Sequence, residues 1–231
     1  MSLSLDGAKA EEFRRRIVEW YEAHGDRDLP WRRAKDGWSV LVATLMLRKT
    51  TVKQVVKVYE EFMRRYPTPQ SLLSASEDEV EELIRPLGLQ HQRAKHFVEL
   101  AKVLVRRFGG RVPCSREVLP GVGDYAASEV LLRVYGRAEP LLDRNMIRVV
   151  ERVFGVRSAK KRPHKDRAMW SFAESLVPED PELAEKFNFG VLDFARKICT
   201  AEKPYCDACP TKDLCSYFSR PGGKQPPSKL H

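Results

Sequence analysis

Four of the five cysteines crowd into seventeen residues near the C-terminal end, in the pattern Cys199-x6-Cys206-x2-Cys209-x5-Cys215. Four thiolates at such spacing can hold a [4Fe–4S] cluster or a tetrahedral zinc. Zinc modules more often show two short knuckles well apart. Here one short knuckle, Cys206-x2-Cys209, lies between wider loops of six and five residues, which favours iron–sulfur. Disulfides are the poorer reading of so tight a cluster in a chain with no recognisable leader. The fifth thiol, Cys114, stands outside the pattern and reads as a small buried apolar side chain.

A second constellation is "LPGVGDYAA", Leu119–Ala127. Two glycines flank Val122 at the mouth of an apolar helical pattern. A Gly-x-Gly turn there leaves backbone N–H groups unobstructed and aims them outward, with the helix dipole behind them. That is a seat for an anion such as a phosphate, and it reads no sequence. The plain alternative is a structural bend that the glycines merely permit. A third is Asp143 in "LLDRN", which can cap a helix or place a carboxylate beside developing positive charge. A fourth is the loop between Cys199 and Cys206, which carries Lys203 at its crest with Arg196 and Lys197 just before it.

The elements that position these groups are helical almost throughout. Phe13, Ile17, Trp20 and Tyr21 recur at helical spacing. Residues 38–47 are apolar nearly all round, and 50–66 form an amphipathic pattern that stops at Pro67. Ser76 and Glu79 make a capping box. Residues 92–108 give an amphipathic helix closed by Gly109 and Gly110. Helices then follow at 124–134, after an N-cap at Asp143, and in two further C-terminal stretches. No stretch alternates with period two, so the fold class is all-α, about ten helices. Residues 221–231, "PGGKQPPSKLH", read as a flexible tail.

The 231 residues carry a net charge of +9, with cations spread through folded-looking segments, and a polyanionic partner fits that balance. No apolar run approaches the ~20 residues of a membrane span. An intracellular protein of cytoplasm or nucleoid, without membrane attachment and expected as a monomer, is the reading.

Taken together, "LPGVGDYAA", "LLDRN" and the cysteine spacing resemble the helix-hairpin-helix DNA glycosylases, the superfamily of endonuclease III and the adenine glycosylase MutY. "LPW" at 29–31, "LRKTT" at 47–51 and "GLQHQRA" at 88–94 fit as well, so the resemblance runs from about Pro30 to Cys215. "LRKTT", the stretch from Gln92 to Pro113 and Tyr125 look most like the archaeal thymine-DNA mismatch glycosylases.

The resemblance implies two helical lobes flanking a DNA cleft. A helical barrel carrying the hairpin would span 37–136. An iron–sulfur lobe would combine 1–36 with 137–220. It implies base flipping on double-stranded DNA containing a mismatched or damaged base. It makes Asp143 the catalytic carboxylate, with Tyr125 facing it. Family members with a lysine at the Tyr125 position also cut the strand, so tyrosine implies base removal alone. Gly121, Val122 and Gly123 would bind phosphate, often with a monovalent cation (K+ or Na+). Arg48, Lys49, Gln90 and His91 map to loops that fill the gap left by the extruded base, and Lys203 to a further DNA contact. Cys199, Cys206, Cys209 and Cys215 would carry the [4Fe–4S] cluster.

The expected activity is that of a monofunctional glycosylase of base excision repair acting on thymine or uracil opposite guanine. Departures from the pattern are Thr44, where the adenine and mismatch enzymes carry glutamate, and a shortened segment before the hairpin, whose first helix should be stubby. The adenine enzyme's additional C-terminal domain has no counterpart. Rival readings are a bifunctional pyrimidine glycosylase and AP lyase using another lysine, an adenine or oxidised-purine glycosylase, and a non-catalytic iron–sulfur lesion sensor.

Overall fold

The computed structural model describes residues 6–116 and 119–219; the proposed tail at 221–231 lies outside the described residues. Among the described residues there is no strand, and no helix is long and apolar enough to cross a membrane. The chain divides into two compact units, Met1–Asp26 with Arg137–His231, and Arg27–Gly136.

The first unit contains α1 (Gly7–His24), capped by the Asp6 carboxylate on the Lys9 N–H, four residues before the hydrophobic pattern becomes visible. The later α8 (Arg144–Phe154), α9 (Arg167–Leu176) and α10 (Pro181–Lys197) complete it. Helix α10 packs against both α1 and α8. It meets α1 at Gly190, where a Cβ would stand 2.8 Å from Ile17 Cγ2 and 3.0 Å from the Ile17 carbonyl. Only glycine lets the two backbones come this near. Phe13, Phe154, Phe172, Phe187 and the Trp20–Phe194 pair interlock edge-on around that seam.

The second unit is built on α2 (Gly37–Met46), buried at every position from Trp38 to Met46. Around it lie α3 (Val52–Arg65), the one-turn α4 (Pro69–Leu72), α5 (Glu77–Ile84), α6 (Gln90–Phe108) and α7 (Asp124–Tyr135). Capping boxes start three of them: Thr51 with Gln54, Thr68 with Ser71, and Ser76 with Glu79. Gly109 ends α6 in left-handed backbone.

Three features depart from the sequence reading. Residues 27–36 belong to the second unit, not the first. Trp31 meets Tyr59 edge-on at 5.7 Å, and the Arg133 guanidinium donates to the carbonyls of Trp31, Arg32 and Ala34. Residues 111–116 form no helix, so the stubby first helix of the hairpin is absent from them. Cys114, expected buried, is exposed: in this non-helical stretch Val112 takes the core position and Cys114–Arg116 face solvent.

Candidate functional site

In the second unit, Val122 N–H closes a turn onto the Leu119 carbonyl at 3.0 Å. Gly121 sits at φ +72°, with its nearest neighbours at ordinary van der Waals distance, so left-handed backbone rather than space demands glycine. Gly123 is the N-cap of α7 and supplies no side-chain acceptor. The first-turn N–H groups of α7 are therefore not satisfied by a cap side chain. A Cβ on Gly123 would meet nothing within 4 Å, so this end of the helix is open. Asp124, in the same first turn, offsets part of the dipole's positive end. Tyr125 is the second residue of α7 and half-buried.

The loops beside this turn are held by Arg93, a buried arginine on the apolar stripe of α6. Its Nε donates to the Gly88 carbonyl at 2.9 Å and Nη1 to Leu45 at 2.8 Å. Its Nη2 reaches the Arg48 carbonyl and, at 2.8 Å, Thr50 Oγ1. One guanidinium thus ties the end of α2 and the loop after it to the loop before α6. Each loop contains a non-glycine residue in left-handed backbone, Lys49 at φ +54° and Leu89 at φ +53°. Leu89 is 57% exposed, unusual for a large apolar side chain. Arg48 donates to the Gly121 carbonyl, joining the loop to the hairpin. Lys49 is exposed and Gln90 half-buried. His91 is exposed as well, with Nδ1 against the Glu81 carboxylate of α5. Thr44 is buried; its hydroxyl lies 2.7 Å from the Val40 carbonyl and 2.9 Å from the Glu129 carboxylate, and its single proton serves one at a time.

In the first unit, Asp143 caps α8. Its Oδ1 accepts from the N–H groups of Asn145 (2.7 Å) and Met146 (2.8 Å), and its Oδ2 from Asn145 Nδ2 (2.7 Å). Burial pushes its pKa above the ordinary carboxylate value, against the pull of those donors and of Arg148. Arg148 in turn donates to Asn145 Oδ1 at 3.0 Å and to the Cys199 carbonyl at 2.9 Å. A chain of bonds therefore runs from the Asp143 carboxylate to the backbone of the first cysteine.

All four clustered cysteines line one cavity, walled by Val153, Phe194, Ile198, Pro204, Tyr205 and Tyr217. Arg152, buried one turn along from Arg148, donates to Cys199 Sγ (3.3 Å), the Thr200 carbonyl (2.7 Å) and the Ala201 carbonyl (2.8 Å). The Cys215 thiol donates to the Arg152 carbonyl at 3.4 Å. Burial and the neighbouring thiols Cys215 and Cys199 push the Cys206 thiol up; burial raises Cys209. Among the described residues no group of three or more His, Cys, Asp or Glu side chains is gathered tightly enough to hold a single metal ion. The donor set nonetheless suits an anionic thiolate cluster: four sulfurs around one apolar hollow, with a guanidinium N–H on one of them. Lys203 is exposed on the loop, its carbonyl accepting from the Thr200 hydroxyl. Arg196 and Lys197 are engaged with Asp26 instead.

Sequence reasoning misses Arg93, Asn145, Arg148, Arg152 and Leu89. For Arg93 a signal exists, since a cation on the apolar stripe of an amphipathic helix must find partners. For Leu89, nothing in the residue type announces left-handed backbone.

Residues 42–175 match the family described as HhH-GPD superfamily base excision DNA repair protein. The chain is 63% identical over 220 residues to a thymine-DNA glycosylase of Aeropyrum pernix, covering 94% of this chain and 99% of that protein. It is 59% identical over 218 residues to a thymine/uracil-DNA glycosylase of Pyrobaculum aerophilum, covering 93% and 95%. A solved structure described as a thermostable thymine-DNA glycosylase superposes with a TM-score of 0.83 at 33% identity, over 91% of this chain and 97% of that one. The resemblance carried by the hairpin, "LLDRN" and the cysteine spacing is borne out: the chain belongs to the HhH-GPD superfamily of base excision DNA repair proteins.

Proposed function

We propose that this protein is a monofunctional DNA glycosylase that hydrolyses the N-glycosidic bond of thymine or uracil mispaired with guanine. The observation that carries the reading is the near full-length identity of 63% to a thymine-DNA glycosylase. The residues are consistent with it. The target nucleotide leaves the stack, which costs least at a mispair. As the C1′–N bond breaks, positive charge builds on the deoxyribose and the pyrimidine departs as a stabilised anion. The Asp143 carboxylate opposes that charge and orients the water, whose oxygen bonds C1′ and whose proton is taken up by the carboxylate and passed to the base.

Tyr125 replaces the amine that strand cleavage would need, and shapes the base pocket. Thr44, buried with its hydroxyl engaged inside the unit, is no general acid for a purine leaving group. The open N-terminus of α7 seats a backbone phosphate, with Gly121, Val122 and Gly123 forming the turn. The carbonyls of the same turn, each with a lone pair beyond the one hydrogen bond it accepts, would take a monovalent cation (K+ or Na+) beside that phosphate. Arg48, Lys49, Gln90 and His91 face the gap left by the flipped base, with Lys203 touching phosphate farther along.

Cys199, Cys206, Cys209 and Cys215 would hold the [4Fe–4S] cluster. When bound, it supplies a cross-link that fixes the 199–215 segment and no part of the hydrolysis. The two units serve as the two helical lobes that the family resemblance implies, and one copy of the chain suffices.

The test is base release from labelled duplexes carrying T:G, U:G, A opposite 8-oxoguanine, 8-oxoguanine, or normal T:A, each with and without hot alkali. Product from T:G and U:G only after alkali is expected, and none from T:A. Strand breaks without alkali would reveal a lyase lysine. Binding without release from any duplex would make the protein a lesion sensor. Asp143→Asn is expected to lower release by about a thousandfold while duplex binding persists.

A further inference from the structure

More than half of the net charge of +9 sits in one short surface segment that the glycosylase reading leaves unused. Residues 157–167, "RSAKKRPHKDR", hold six Lys and Arg against a single Asp, a net of +5. All six cations, Arg157, Lys160, Lys161, Arg162, Lys165 and Arg167, are exposed. The one acid of the segment, Asp166, is buried and spent internally. It caps α9 on the Ala168 N–H at 3.1 Å and accepts from the Ser158 hydroxyl at 2.5 Å. Glu151 on α8 acts on Arg157 at one margin.

The segment is also pinned. Ser158 Oγ accepts from the Lys160 N–H at 3.0 Å, Lys165 N–H closes onto the Arg162 carbonyl at 2.9 Å, and the Trp170 indole N–H holds the His164 carbonyl at 3.0 Å. A short 3-10 turn at Pro163–Lys165 stiffens its middle. So the chain gathers like charges on an outward surface, fixes the backbone beneath them, and turns the one carboxylate inward. Self-repulsion in such a patch is a cost, offset when a polyanion lies across it.

We propose that residues 157–167 form a second, sequence-blind docking surface for the phosphate backbone of duplex DNA, separate from the hairpin seat and from Asp143. The proposal takes its partner from the function proposed above. It accounts for where the excess charge lies. Cations placed in this way release counterions and set affinity and salt dependence without reading bases. They hold the enzyme on undamaged duplex and contribute nothing to bond cleavage.

The experiment neutralises Lys161, Arg162 and Arg167 together as Lys161→Gln, Arg162→Gln and Arg167→Gln. None of the three lies in the catalytic or hairpin machinery. Binding to an undamaged duplex is measured by anisotropy across a salt series. The slope of log affinity against log salt is expected to become shallower by about 2–3, roughly 0.9 for each phosphate no longer neutralised. Affinity at fixed low salt is expected to fall about tenfold or more, equally for matched and T:G duplex.

Single-turnover release from T:G at saturating enzyme stays at the wild-type rate. The charge-keeping set Lys161→Arg, Arg162→Lys and Arg167→Lys restores slope and affinity. An unchanged slope overturns the proposal, as does an equal loss in the charge-keeping set. If wild type never released a base yet the slope still fell, the glycosylase reading would fail and the docking surface would stand. Base release with an unchanged slope means the reverse.

Discussion

Both units hold functional loops with a buried arginine that points at backbone carbonyls, but they use it on different loops. In the second unit, Arg93 binds the carbonyls of Leu45, Arg48 and Gly88. In the first, Arg152 binds those of Thr200 and Ala201 and one cysteine sulfur. The Arg93 loops carry backbone strain at Lys49 and Leu89 and present side chains outward. The Arg152 loop carries no left-handed residue outside glycine and faces its sulfurs inward. Loops cannot bury enough apolar surface to fix themselves, and a planar guanidinium offers five donors in a rigid fork. The difference shows what each loop is for. One is braced to hold a strained, exposed conformation. The other is braced with its thiols around one apolar hollow.

The largest expected effect follows from removing the inward-facing brace. Arg152→Met leaves two carbonyls and a buried sulfur without their donor, and should cost about 3–5 kcal/mol in denaturant unfolding. Iron retained after purification should fall with it. Arg93→Met fills the stem of the side chain but orphans the loop carbonyls, for about 2–4 kcal/mol. Hydrogen exchange separates the two. Arg152→Met should expose amides at 199–201, and Arg93→Met amides at 45–50 and 88–90. Wild-type protection at either set would mean that the loop is held by something other than its arginine.

These braces mark the boundary of what the sequence reveals. Local signals read true. The capping box at Ser76, the glycine stop at Gly109 and the Asp143 cap each involve residues within five positions, and each forms as its residues imply. The clustered cysteines are visible for the same reason. Arg152 and Cys199 lie 47 positions apart, and Arg93 and Leu45 48. No periodicity encodes such pairs. Residues 27–36 fall to the wrong unit on the same ground: Arg133, about a hundred positions away, decides where that turn packs. The contact of the exposed His91 with Glu81, on the preceding helix, is likewise unannounced in sequence.

Asp143 sharpens the comparison through pH. Its pKa is raised by burial, so the anion that the proposed hydrolysis uses forms only above a midpoint higher than the ordinary aspartate value of about 3.9. Excision should therefore decline with acidity earlier than an exposed carboxylate would allow. The stability sign is opposite to that of a salt-bridged acid. A raised folded-state pKa favours folding below the unfolded pKa, and that contribution is lost as pH rises through the folded value. At neutral pH the charged carboxylate is thus a burden on the fold. Asp143→Asn, which can still cap α8, should melt no lower than wild type at neutral pH and compare less favourably in acid. A variant that melted lower at neutral pH would show that the N–H donors and Arg148 outweigh burial.

The smallest effect concerns the strain at Leu89. A non-glycine residue in left-handed backbone costs about 1–2 kcal/mol, and Leu89 recovers little by burial. Leu89→Gly relieves the strain at the expense of a more flexible unfolded chain, so a net gain of about 0.5–1 kcal/mol is expected in unfolding experiments. If the strained backbone serves to hold an apolar side chain outward for the DNA, that gain comes with weaker binding to T:G duplex. Arg93→Met would weaken the same binding by releasing the same loop, and the double variant would lose little more than either alone. Stability gained with binding intact would mean that Leu89 is incidental and that Arg93 braces the loop for Arg48, Lys49 and Gln90 alone. Additive losses would mean that the brace and the side chain act on DNA by separate routes.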